Sequence, residues 1–185
     1  AFDFGSGNYV VTLNGGVEKI ADMAGNQMVE QPFGIDIDTS VQVVSFQQGV
    51  AGYSGTVDTT VDQGSPDEDL STDSSLNIDN DSPSGSGNAV QSLLRFDDII
   101  GGVSGQVPPT ATIFSATLFV DVSNAGSALE WNRMLVDWID TDTWTTMNNG
   151  ISSDDLEALS LSDASTGAVT TGMLEIDVLA SLQAW

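Results

Sequence analysis

Short runs of alternating apolar and polar residues, each closed by turn-forming residues, set the tightest limit on what this chain can fold into. Ile113 to Val122 (IFSATLFVDV) is the clearest. Thr56 to Val61, Val90 to Phe96 and Met173 to Leu182 are further strand candidates, the first and last with the same alternation. A period of two suits a strand with one buried face, whereas a helix needs apolar residues every three or four positions. No long amphipathic stretch stands between the runs, so parallel βαβ units are excluded. Thr, Val, Ile, Ser, Asp and Asn dominate, glycine numbers 19, and the mixture is one of strands joined by turns.

Further strands are expected at Val41 to Gln47, Leu129 to Ile139 and Thr143 to Met147. A short one is expected at Ser75 to Ile78, inside the long acidic loop Gln63 to Asn88. Val17 to Met28 and Asp154 to Leu161 suit one or two helical turns. Roughly eight strands at this spacing predict an antiparallel β-sandwich for residues 41–185. Residues 1–40 are set apart as a tail. Phe2 and Phe4 lie in its Gly-rich start. Tyr9, Val11 and Leu13 then form one apolar face of a short strand, followed by Gly15-Gly16 as a turn or hinge. Ile35, Ile37 and Thr39 alternate with Asp36 and Asp38, the pattern of an exposed edge strand.

Charge narrows the function. Twenty-seven acidic residues stand against Lys19, Arg95 and Arg133, a formal net charge of -24. Nucleic acid is excluded, because phosphate neutralisation needs many Lys and Arg. Anionic lipid surfaces are excluded for the same reason, and no segment approaches the roughly 20 apolar residues of a membrane-inserted span. So large a charge opposes compaction by self-repulsion, which cations relieve. With no Cys and no His, Ser–His–Asp and Cys–His catalysis and His-ligated zinc are closed. A carboxylate pair for a glycosidase can be picked from any chain with this many acids, so no catalytic residue is assigned and a non-enzyme is expected. The start at Ala1, without a basic and apolar leader, is that of a secreted protein after signal-peptide removal, or of a trimmed chain.

Several segments together resemble the DNRLRE family of extracellular bacterial jelly-roll domains, which are related to carbohydrate-binding modules. They are Gln47-Gln48-Gly49, Gly52 to Thr60 (GYSGTVDTT), Ser92 to Asp97 (SLLRFD), Ala116 to Leu118, Ile176 to Val178, and Leu182 to Trp185. The resemblance implies a jelly-roll sandwich across residues 43–185. It also implies a loop and two further strands after Trp185, where this chain stops.

A sandwich lacking its last strands leaves unpaired backbone groups and uncovered core. The expected role is therefore a pilus-like filament subunit, a head-to-tail homopolymer whose tail inserts into the next copy. Phe2, Phe4, Tyr9, Val11 and Leu13 are the donor residues, and Leu174, Ile176, Val178 and Trp185 the acceptor edge. Two plainer arrangements stay open: the tail as one more strand of its own domain, or a C-terminal piece removed. The alternative function is a Ca2+-dependent carbohydrate-binding module with polysaccharide as its partner. Asp73, Asp79 and Asp81 are then the candidate Ca2+ ligands, although no glycine completes an EF-hand loop. Trp144 and Tyr53 are the candidate sugar platforms. Trp131 and Trp138 are expected in or beside the core, and Arg95 is expected to pair with a carboxylate at the sheet rim.

Overall fold

The computed structural model describes residues 41–184 throughout. Before them it describes only the backbone of two short strands, β1 (Tyr9–Val10) and β2 (Asp36–Ile37). The chain divides into two units, Ala1–Ser45 and Phe46–Trp185. In the first, β1 and β2 pair antiparallel, Tyr9 opposite Ile37 and Val10 opposite Asp36.

The second unit is all-β apart from one short helix. Its strands are β3 (Thr56–Asp62), β4 (Val90–Phe96), β5 (Thr117–Val122), β6 (Gly126–Trp131), β7 (Ala164–Val169) and β8 (Gly172–Asp177), followed by α1 (Leu179–Gln183). They form three antiparallel pairs: β3 with β4, β5 with β8, and β6 with β7.

β3 and β4 are in continuous register from Thr56–Phe96 to Asp62–Val90. Directly opposed residues share a face. One face therefore carries Val57, Thr59 and Val61 from β3 with Arg95, Leu93 and Gln91 from β4. Val61 and Leu93 are buried there with Trp138 and Met147, and Val57, Met134, Trp144 and Ile151 pack against them. The core thus sits between the β3–β4 pair and the segment joining β6 to β7. Thr60 faces the other way and is also buried, bonded to Ser92 and to the Asn77 backbone. Both faces of β3 are covered.

The other four strands are two passes of one ribbon. β5 is followed by β6, and β7 by β8, yet neither sequential pair is laddered; β5 pairs with β8 and β6 with β7. Val122 lies opposite Gly172 and Gly126 opposite Val169, so three residues on one pass face two on the other. An extra residue is a bulge, which bends a strand and reverses its alternation. The burial pattern reverses accordingly: Leu118, Val120 and Val122 are the less exposed residues of β5, but Leu129 and Trp131 are those of β6. In β8 and the first half of β7 the less exposed residues, Ala164, Thr166, Leu174 and Ile176, keep one parity, while Val169 at the corner is buried on the other. Beyond β6 and β7 the ribbon runs on through backbone bonds from Leu159 to Arg133 and from Leu135 to Glu157.

Several expected elements differ. Val41 to Gln47 is not a strand; Val41, Val43 and Val44 are exposed and find no ladder neighbour among the described residues. Thr143 to Met147 is a turn, closed by Met147 N–H to Thr143 O and by Thr143–Thr146 side-chain bonds. Asp154 to Leu161 is a turn as well: Asp155 is left-handed at φ 68°, and its carboxylate takes the Ser160 N–H that a helix would bond to Leu156 O. Ser75 to Ile78 is not a strand; a single bridge, from the adjoining Asp79 to Val90, follows it. The run at Leu129 leaves the ladder after Trp131, and the last strand gives way to α1 after Asp177.

Candidate functional site

Three acceptor-edge candidates fall on or just beyond β8. Leu174 and Ile176 sit on its less exposed face opposite Val120 and Leu118, and Ile176 is buried at 3 % exposure. Val178 continues the pairing by donating its N–H to Ala116 O, while its carbonyl accepts from Leu182 N–H in α1. Trp185 lies outside the described residues. Away from β5, β8 borders a cleft of about 260 Å3, walled by Ala164, Ser165 and Thr166 on one side and Glu175, Ile176 and Asp177 on the other. Ser181 of α1 donates to Asp163 Oδ2 at 2.7 Å, and Arg133 Nε stands 3.5 Å from the same oxygen, so α1 is tied to the start of β7. Of the donor candidates, Tyr9 lies on β1; Phe2, Phe4, Val11 and Leu13 fall outside the described residues.

The acidic loop is organised by its own backbone. Asp81 accepts Gly87 N–H on Oδ1 at 2.7 Å and Gly85 N–H on Oδ2 at 2.8 Å, and Asp79 Oδ1 accepts Asp81 N–H at 2.8 Å. Those glycine N–H groups hold the Asp81 carboxyl below the usual aspartate range. Asp73 is exposed in a separate turn, its N–H on Leu70 O. Among the described residues, no three Asp or Glu groups converge as a metal cage.

The two aromatic candidates are apart in the fold, and both are engaged. Trp144 packs against the core cluster, and its ring covers Gly150, where an added Cβ would meet it at 2.5 Å. Tyr53 donates its hydroxyl to Asp97 O at 2.8 Å and stands edge-on to Phe46 at 5.3 Å; burial, first among the causes, pushes its phenol pKa up. Asp97 N–H in turn bonds Gly55 O at 2.7 Å, and a Cβ at Gly55 would strike Asp97 O. Tyr53 and Gly55, just before β3, and Arg95 and Asp97, at the end of β4, thus form one structural knot.

Arg95 pairs with a carboxylate, as expected, and does more. Nε and Nη2 reach the two Asp97 oxygens at 2.6 and 3.1 Å, Nη1 donates to Trp138 O at 2.8 Å, and the guanidinium lies 4.8 Å from the Trp138 ring centre. The Asp97 hydrogen bonds hold its pKa above the usual arginine range. Trp138 is buried, as expected of a core residue. Sequence reasoning missed Gln91, whose side chain bonds the Ile151 backbone, and Phe119, which is 59 % exposed on β5. The alternation of β5 already signalled Phe119; nothing in the sequence marks Gln91.

Against known proteins, no family model matches the chain, no curated protein matches it, and no solved structure matches it.

Proposed function

We propose that this chain is a structural, non-catalytic subunit of an extracellular bacterial filament, a jelly-roll sandwich joined head-to-tail by its N-terminal segment. The observation that carries this is the side of β8 away from β5. Among the described strands it has no ladder partner there, and a cleft lined by Ile176, Glu175 and Asp177 lies between it and the start of β7. Unpaired strand edges recruit further strands. At the other end, the described residues of the first unit form the β1–β2 ladder, so strand form is open to that segment. Secretion and Ca2+ in the medium belong to the same proposal, since a filament of subunits each carrying -24 needs counter-ions along its length.

Negative-stain microscopy of the purified chain tests it. The intact chain is expected to elongate into fibres, and deletion of residues 1–16 to leave monomers. A monodisperse monomer of the intact chain by sedimentation velocity overturns the proposal.

A further inference from the structure

Edges differ in how well they are guarded. On β3, Thr56 N–H is taken by the Gln48 side chain. β4 has β3 on one side and is bridged through Val90 to Asp79. The β6–β7 ladder slips twice, and such irregularities discourage edge pairing. The β8 edge is the one assigned above to the head-to-tail joint. Among the described residues β5 lacks these guards, and its side away from β8 has no ladder partner. Its six residues, TLFVDV, keep unbroken register with β8, contain no Lys or Pro, and carry one carboxylate, Asp121. Phe119 stands exposed at its middle.

We propose that the β5 edge is an isologous contact between two copies of this chain, paired antiparallel about Phe119. A two-fold axis through the sheet keeps each residue on its own face, so the register must centre on a residue. Centred on Phe119, that ring meets Phe119 of the second copy, Leu118 meets Val120, and Asp121 meets Thr117. Centred on Val120, Asp121 would lie against Phe119; centred on Asp121, two carboxylates would oppose each other. Only the Phe119 register gives an aromatic pair and sets the carboxylate opposite a hydroxyl donor. This charge match favours a second copy over a different acidic strand. The contact is separate from the head-to-tail joint proposed above, and would link filaments, or single subunits, side by side.

The absence of native cysteine makes the register directly testable. Single-cysteine variants F119C, T117C and D121C, all at exposed positions, are oxidised mildly in moderate salt, which screens repulsion between the acidic copies. F119C is expected to form a disulfide dimer on the order of tenfold more than T117C or D121C alone, because only position 119 faces itself within bonding distance. A mixture of T117C and D121C is expected to recover the heterodimer. Deleting residues 1–16 is expected to change none of this. No heterodimer from the T117C and D121C mixture, which keeps Phe119 in both copies and whose circular dichroism matches the parent, overturns the proposal, as does equal dimer yield at all three positions.

Discussion

Gln91 and Ile151 bond each other twice: the Gln91 amide Nε2 donates to Ile151 O, and Ile151 N–H donates to Gln91 Oε1, both at 2.8 Å. A side-chain amide thus does what a neighbouring strand's peptide would do, and fastens the segment after β6 to β4. Gln91, Leu93 and Arg95 share one face of β4, so three successive inward residues grip the same segment by amide, packing and guanidinium. Gln91→Leu removes both bonds and leaves a half-buried peptide unpaired. The expected loss is about 1–3 kcal/mol in urea denaturation. Gln91→Glu keeps an acceptor for Ile151 N–H but sets a carboxylate against Ile151 O, and should fall no less far at neutral pH.

Arg95→Lys tests whether geometry or charge matters at the knot. Lysine keeps the charge but cannot span both Asp97 oxygens and Trp138 O, nor lie as a plane against the indole. Stability is expected to drop on the order of 1–2 kcal/mol, for the lost hydrogen bonds. Trp fluorescence should shift to the red as Trp138 gains water. An unchanged spectrum and midpoint would show that Arg95 acts by charge alone.

Gly150 has φ +99°, in a run of left-handed residues with Asn148 and Asn149, and its N–H bonds Trp144 O at 3.0 Å. Gly150→Ala adds both the left-handed strain, about 1–2 kcal/mol, and a methyl group driven into the Trp144 ring. Thermal unfolding should shift clearly downward. Gly167→Ala, with open space around its Cβ, is the matched control and should shift little.

Asp81 gives the acidic loop a pH dependence. Its pKa is lowered in the folded chain, first by Gly85 N–H and then by Gly87 N–H. The stabilising effect is therefore complete above the unfolded aspartate value of about 3.9, and is lost as pH falls through the lower folded value. Asp81→Asn should be less stable than the parent at neutral pH, with the gap constant down to that range and closing below it. Denaturation midpoints across acid pH read the difference, and a gap that widens in acid would contradict the assignment.

The strands whose alternation was legible are those with large apolar residues on one face: Val57 and Val61 in β3, Leu118, Val120 and Val122 in β5, Leu174 and Ile176 in β8. β7 escaped notice because Ala164 to Val169 (ASTGAV) is made of small residues, and its strand form depends on pairing with β6. Val41 to Gln47 shows the reverse: strong β-formers without a laddered neighbour among the described residues. The Arg95 pairing was legible because a lone cation in an acidic chain is surrounded by carboxylates. The amide of Gln91 was not, since a polar residue in a strand ordinarily signals solvent. Tyr53 and Trp144 looked like platforms for a ligand because sequence gives residue type but not what the ring touches. Neither the Asp97 carbonyl nor Gly150 can be read from spacing.

The mismatch of three residues against two, where the β5–β8 ribbon bends, makes length a determinant of orientation. Shortening Ser123–Ala125 by one position would equalise the two corners and swap which side of β6 looks inward, trading Leu129 and Trp131 for Ala128 and Glu130. A deletion in a solvent-facing corner, touching no core atom, would turn one arm inside out. Arg133 and Asp163, which follow and precede that arm, would be carried out of reach of each other with it.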